Sequence, residues 1–298
     1  MSTPDPIVLL APPFSGSARL AARLGCHPQL YAVPELYLFM ADNLGELLQI
    51  FRLSQGPQFD GLLRAIAQLE YGEQTDASIA RARAWLEQHH HWHCRDLLDY
   101  LVQKVAPRRL LLPDVEAPLR PIELRRIQRW LPQAQILTLY RHPWTQGCLL
   151  WAWGRERLFI PPDFKDHSFI PALLDPQIAW LRAHANLQNA FAPRARVLRD
   201  EDFVADAASA CTDLCRALEI STDSAALSAM QNPQNWDYAG HGPGTAPYGL
   251  EAEAFDVVKP RDWTLAEQTS LNKPLPWRPD GLPFDPQITT AARALGYE

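Results

Sequence analysis

The segment Pro13-Phe14-Ser15-Gly16-Ser17-Ala18 holds the residue types of an anion cradle. Backbone amides at the start of a helix have no carbonyl partner within it, and the helix dipole favours negative charge there. Gly16 can take the backbone angles that turn successive amides toward one oxyanion, and the hydroxyls of Ser15 and Ser17 can add hydrogen bonds. The Gly-Lys-Ser/Thr ending of nucleotide triphosphate hydrolases is absent, which argues against that chemistry. A plain turn with a serine cap is the alternative for the same residues.

Four further groups bear on chemistry. Arg141 follows an apolar run and precedes His142-Pro143, so it stands where an arginine at a strand end can hold phosphate in a bidentate way; a salt bridge to Glu35 or Asp114 would explain it equally. His241 lies within Gly240-His241-Gly242-Pro243-Gly244, a breaker-rich stretch able to close over a substrate. His89 and His93 are spaced to share a metal if both lie on one helix, but no His-Glu-x-x-His pattern accompanies them, and an exposed polar helix end is the simpler reading. No metal is expected. Trp144, Trp151 and Trp153 either pack in the core or wall an apolar acceptor pocket.

These residues need elements to position them. Ile7-Val8-Leu9-Leu10 reads as a buried parallel strand feeding the cradle, with a helix from Ser17 to about Gly25. Further strands are expected at Arg109 to Leu112, Gln135 to Tyr140 and Arg196 to Leu198. Helices are expected at Ile122 to Trp130, Trp144 to Trp153, Pro176 to Asn189 and Val204 to Leu218, with a terminal one at Thr289 to Leu295. Strands alternating with helices indicate an α/β fold around a central parallel sheet, which binds ligands beyond the carboxyl ends of its strands. Pro13 to Ser17, Pro113 to Glu116, Arg141 and Asp200 then share one edge. A single domain over residues 1–298 is expected, with a helical insertion at about 41–105 and a Gly/Pro-rich lid at about 231–261.

Pro13-Phe14-Ser15-Gly16-Ser17-Ala18, followed by His27-Pro28 and Pro34-Glu35, resembles the opening of sulfotransferases of the bacterial and tyrosylprotein type. Gln135 to Tyr140 with Arg141-His142-Pro143 resembles that family's strand and Arg-Asp-Pro turn, and Arg199-Asp200-Glu201-Asp202-Phe203 its late Tyr-Glu-Asp-Leu. The resemblance runs over roughly 220 residues. It implies a three-layer, P-loop-like sulfotransferase fold that transfers a sulfuryl group from PAPS (3′-phosphoadenosine 5′-phosphosulfate) to a hydroxyl or amine of a small-molecule or peptide acceptor. Pro13, Phe14, Ser15, Gly16, Ser17 and Ala18 would then hold the 5′ end and Arg141 the 3′-phosphate. Glu35 stands where the tyrosylprotein enzymes have their base, and His241 is its rival in that role. Four positions depart from the family. Phe14 replaces a basic residue, Ala18 a threonine, Leu149 a serine that touches the 3′-phosphate, and Glu116 a lysine. A lost charged hydrogen bond to a ligand costs about 2–5 kcal/mol when its partner stays buried. A non-catalytic, sulfotransferase-like binding protein, or a binder of another phosphorylated ligand, is therefore the alternative.

Composition narrows the classes further. Hydrophobic residues make up 47% of the 298 and charged residues 21%, a globular balance. The net charge of -6 and the lack of basic-aromatic interleaving argue against a nucleic-acid partner. No apolar run approaches the roughly 18 residues of a membrane span, and Met1 to Pro6 lack a signal-peptide pattern, so a cytoplasmic protein without membrane insertion is expected. A homodimer is allowed. The five scattered cysteines form no disulfide framework; Cys211 and Cys215 are expected on a buried helix face.

Overall fold

The computed structural model describes residues 4–54, 58–157, 160–249 and 271–298. Five parallel strands form the central sheet: β1 (Ile7–Leu10), β2 (Leu30–Ala32), β3 (Arg109–Asp114), β4 (Gln135–Tyr140) and β7 (Arg196–Arg199), in the order β2-β3-β1-β4-β7. β1 is central and wholly buried, in register with β3 (Leu10 beside Asp114) and with β4 (Leu10 beside Thr138). This is why its sequence is an unbroken apolar run rather than an alternating one. A two-residue hairpin, β5 (Lys165–Asp166) with β6 (Leu173–Leu174), stands apart from the sheet.

Helices flank the sheet. On the side of α1 (Ser17–Gly25), α10 (Ala207–Ala217) and α11 (Ser224–Met230) pack in sequence; elsewhere α8 (Pro176–Phe191) packs on both α6 (Pro121–Trp130) and α7 (Pro143–Arg155). Between β2 and β3 the chain forms α2 (Leu44–Ser54), α3 (Gln58–Tyr71), α4 (Asp76–Gln88) and α5 (Cys94–Val105). Their apolar residues fall at three-to-four spacing: α5 buries Cys94, Leu97, Leu98, Leu101 and Val105 along one stripe.

The expected strands and helices are present, with instructive differences. β2 was not expected, because three residues carry too little pattern to be read. The helix expected from Val204 begins earlier, as α9 (Asp200–Ala205), and breaks at Asp206, whose side chain accepts from the Ser209 amide and so caps α10. The last helix, α12 (Pro286–Ala294), starts three residues before its expected position because Asp285 caps it and Pro286 fits a first turn. His89 and His93 do not share a helix: α4 ends at Gln88, and His93 caps α5 through Nδ1. Cys211 and Cys215 lie buried on α10. Among the described residues no helix is long and apolar enough to cross a membrane.

Residues 236–248, the first part of the expected lid, are tied to α3 by Arg64. Its buried guanidinium donates to the carbonyls of Tyr238 (3.0 Å) and Tyr248 (2.9 Å). Residues 250–261 lie outside the described residues.

Candidate active site

The sheet brings together three chain segments that are far apart in sequence. Beyond β1, the chain passes through Phe14 and Gly16, both with left-handed backbones (φ 64° and 84°), and enters α1 at Ser17. Gly16 meets that requirement at little cost; Phe14 is a bulky residue in a region most side chains avoid. No side chain caps α1 and no acid of the helix itself lies in its first turn; the negative group that faces this positive end is Asp200, from beyond β7. Ser15 is completely buried, and its Oγ has no hydrogen-bond partner among the described residues.

Beyond β4 comes Arg141, then α7, whose start is shaped by His142. Its Nδ1 accepts from the Trp144 amide at 3.1 Å, while burial pushes its pKa down to about 4. Gln146 of α7 donates through Nε2 to the Pro13 carbonyl at 2.7 Å, clamping the second segment to the first. Beyond β7 stands Asp200. Arg141 Nε donates to Asp200 Oδ2 at 2.9 Å and Arg19 Nη2 to the same oxygen at 2.7 Å. Among the described residues Asp200 is thus the carboxylate paired with Arg141, in place of the expected Glu35 or Asp114. Arg141 is 4% exposed and Asp200 5%.

On the outer side of α1 a cavity of about 590 Å³ opens beside this cluster. Arg19, Arg23, Asp200, Phe203 and Trp236 are among its walls. Trp236 is fixed by a bond from Nε1 to the Ala32 carbonyl (2.9 Å) and by the absence of a side chain on Gly25, where a Cβ would fall 2.5 Å from that nitrogen.

The departures from the family pattern have structural counterparts. Phe14 and Leu149 belong to one apolar cluster with Leu119, Leu150 and Phe164, and the Phe14 ring meets Trp153 at 5.9 Å. Ala18 is buried in the main core. Glu116 lies past β3, where its amide donates to Asp114 Oδ1 at 3.0 Å.

Glu35, beyond β2, is buried, and its Oε2 accepts from Tyr37 Oη at 2.5 Å. Burial pushes the Asp114 carboxyl up to about 7 and that of Glu123, in α6, up to about 8. His241 is exposed; its ring lies 6.2 Å from that of Tyr248, and its neighbours Gly240 and Gly242 pack against Arg64. The structure thus joins Gly16, Arg141 and Asp200 at one point, next to Ser15, while among the described residues the ring neighbour of His241 is Tyr248. Of Trp144, Trp151 and Trp153, the first packs with Trp277 and Phe284, the second lies against the core, and only the third reaches the Phe14 wall.

Sequence reasoning missed Arg19, Tyr37, Glu123 and Trp236. Arg19 is one of two arginines on α1, and nothing local marks the one that faces Asp200. Tyr37 has a backbone φ of 53°, which no pattern announces. Glu123 reads as an ordinary first-turn acid, yet its burial sets it apart.

Comparison with known proteins bears on the fold and the family. Over its full length the chain is similar to the sulfotransferase domain from the Synechococcus PCC 7002 olefin synthase (TM-score 0.67, 23% identity, 97% of that chain covered). It is likewise similar over its full length to the sulfotransferase domain from the curacin biosynthetic pathway (TM-score 0.71, 18% identity, 99% covered). At these identities the likeness speaks for the fold. No curated protein matches the sequence. Residues 6–224 match the sulfotransferase family, and the chain belongs to that family.

Proposed function

We propose that this chain transfers a sulfuryl group from PAPS to a hydroxyl or amine of a small-molecule or peptide acceptor. One observation carries the reading: a strand-turn-helix cradle, with a buried serine hydroxyl that has no partner among the described residues, lies against the guanidinium of Arg141, whose partner Asp200 also lines a cavity of about 590 Å³. A buried polar atom without a partner is rare and costs about 1–3 kcal/mol, so Ser15 Oγ is well placed to be satisfied by a ligand oxygen.

The residues present fit the donor in large part. The amides of the turn and Ser15 would hold the 5′ end and Arg141 the 3′-phosphate. Arg19, Arg23, Phe203 and Trp236 offer charge and flat apolar surface for the rest of the nucleotide. PAPS supplies a sulfuryl group on a good leaving phosphate. The acceptor oxygen or nitrogen forms the new bond to sulfur while the bond from sulfur to the bridging phosphate oxygen breaks. The acceptor proton passes to a base, for which Glu35, in the segment after β2, is the candidate and His241 the rival on its loop. For Arg141 to take a phosphate, Asp200 must share it or yield.

A second reading has its own support: Phe14 and Leu149 form apolar wall where the family has polar groups, and Asp200 already engages Arg141. This favours a family member that binds a phosphorylated ligand without transferring sulfur. Calorimetric titration with PAPS and its product PAP decides between them. Binding near or below about 100 µM that vanishes in Arg141→Ala, together with sulfated product, supports transfer. No binding up to about 1 mM refutes it. Tight PAP binding without product from any acceptor leaves the binding protein.

A further inference from the structure

Helix α6 turns two different faces to its surroundings. Leu124, Ile127 and Trp130 are buried, while Ile122, Arg125, Gln128 and Arg129 are exposed. Ile122, Arg125 and Arg129 recur at three-to-four spacing and so form one outward stripe. Along that stripe lies a groove of about 490 Å³, lined by Asp42, Ile122, Arg125, Arg126, Gln128 and Arg129. Its size falls in the range of ligand sites, roughly 300–1,000 Å³.

The charges of this groove do not balance. It holds three guanidiniums and one carboxylate, which leaves two positive charges on a chain whose net charge is -6. Arg126 belongs to the fold: it donates to both carboxylate oxygens of Asp42, each at 3.0 Å, and to the carbonyls of Phe39 (2.8 Å) and Met40 (3.0 Å). The hydrogen bonds from Arg126 also hold the Asp42 carboxyl below its ordinary pKa, so its one negative charge is fixed and already engaged. Arg129 reaches the same carboxylate only at 3.4 Å. Arg125 has no hydrogen bond or ion pair among the described residues. Glu123, on the same helix, is buried, lies 3.6 Å from Arg120 and does not line the groove.

Helix stability alone does not ask for this arrangement. Arg125 and Arg129 are one turn apart, and like charges at that spacing weaken a helix. Ile122 adds an apolar side chain, 47% exposed, one turn before Arg125. Guanidinium forks match carboxylates in bidentate geometry. A nucleic-acid backbone would bring phosphates but nothing for Ile122, and its recognition draws on a broad basic surface that the net charge argues against. A free inorganic anion would meet the arginines in water, where an exposed pair contributes little. A peptide segment supplies carboxylates and an apolar side chain together.

We propose that this groove docks an acidic segment of a partner protein, with two carboxylates on Arg125 and Arg129 and an apolar side chain against Ile122. The groove shares no residue with the cradle of Gly16 and Arg141, and its binding does not depend on the sulfuryl-transfer reading.

Fluorescence anisotropy on the full chain tests this with rhodamine-labelled peptides of repeating Glu-Glu-Leu and, as the uncharged control, of repeating Gln-Gln-Leu. At about 50 mM salt the acidic peptide is expected to bind about tenfold or more tighter than the control. Most of that advantage should disappear at about 0.5 M salt, where exposed charges are screened. The double variant Arg125→Ala, Arg129→Ala is expected to erase the advantage, and Arg125→Glu, Arg129→Glu to reverse it. The thermal midpoint of the double alanine variant should equal or exceed the parent's, because the like-charge pair is gone. Arg141→Ala and an excess of PAP should leave peptide binding unchanged.

Equal affinities for the two peptides overturn the proposal, as does a double alanine variant that binds like the parent chain. A fall of more than about 5 °C in the midpoint of that variant also overturns it, by making the arginines structural. Displacement of the acidic peptide by PAP overturns it by moving the peptide to the cradle. Single-stranded DNA of matched charge that binds more tightly than the acidic peptide overturns it by assigning the groove to phosphates. PAP that fails to bind while the acidic-peptide preference persists would remove the donor reading and leave the docking site standing. PAP binding without that preference would do the reverse.

Discussion

The Asp200 carboxylate lies against Gly16. A Cβ built on Gly16 would come 2.7 Å from Asp200 Cγ, closer still to Oδ1, and 3.1 Å from a guanidinium nitrogen of Arg141. The glycine of the anion cradle is thus required twice, by its φ of 84° and by the carboxylate resting on it. A negative group of the protein itself occupies the neighbourhood in which a phosphate would be held, with Arg19 and Arg141 as its counter-charges.

Gly16→Ala must relieve both constraints at once. The left-handed backbone alone costs alanine about 1 kcal/mol, and moving Asp200 off Arg141 adds to this. A loss of at least about 2 kcal/mol in urea unfolding is expected; an unchanged midpoint would show that Asp200 moves aside freely.

The two arginines on Asp200 should differ sharply. Arg141→Ala strands a buried carboxylate and is expected to cost about 3 kcal/mol, toward the low end for broken buried pairs because Arg19 remains. Arg19→Ala removes a half-exposed partner and should cost no more than about 1 kcal/mol. Equal losses in the two variants would contradict the burial assignment.

Stability should fall as pH rises from about 6.5 to about 8. Asp114 and Glu123 have folded pKa values raised to about 7 and about 8, from 3.8 and 4.5, so over this range the folded chain holds protons the unfolded chain has released. Folding then releases no proton but takes one up, and raising the pH opposes it. Below about 6.5 the buried His142, lowered to about 4, works in the opposite direction, because there the unfolded chain holds a proton the folded imidazole has lost, and it makes the fall shallower. Thermal unfolding of Glu123→Gln across pH 6.5 to 8 should show a flatter slope than the parent chain. A slope equal to the parent's would remove Glu123 from the account.

Phe14→Ala separates stability from binding. Phe14 is buried in its own apolar cluster, and truncation should cost about 3 kcal/mol. No donor to a phosphate is lost, so PAP affinity should stay within about twofold in protein that remains folded. A large fall in affinity would mean that the ring shapes the cradle directly.

The cradle was legible in the sequence because every cue was local: a branched apolar run, breakers at Pro12 and Pro13, a glycine, then helical spacing from Leu20 to Leu24. The same held for β4 and Arg141, where Pro143 marks the end of the strand and the start of α7. Asp200 was visible as a residue at the end of a strand but not as the partner of Arg141. The helical cluster of α2 to α5 was readable from its stripes, whereas β2, which leads into the segment of Glu35, is too short to show any period.

The sequence by itself thus determined a parallel α/β sheet with an anion-binding turn after its first strand, since periodicity, breakers and capping act within a few residues. Only the tertiary structure decided what meets at that turn. Arg141 and Asp200 are 59 residues apart and become a buried pair because β4 and β7 lie side by side. Phe14 joins Leu149 because β1 and β4 are neighbours, so that the segments following them meet. Strand order and helix packing choose neighbours that no local pattern contains, and the charge balance of a buried site depends on neighbours alone.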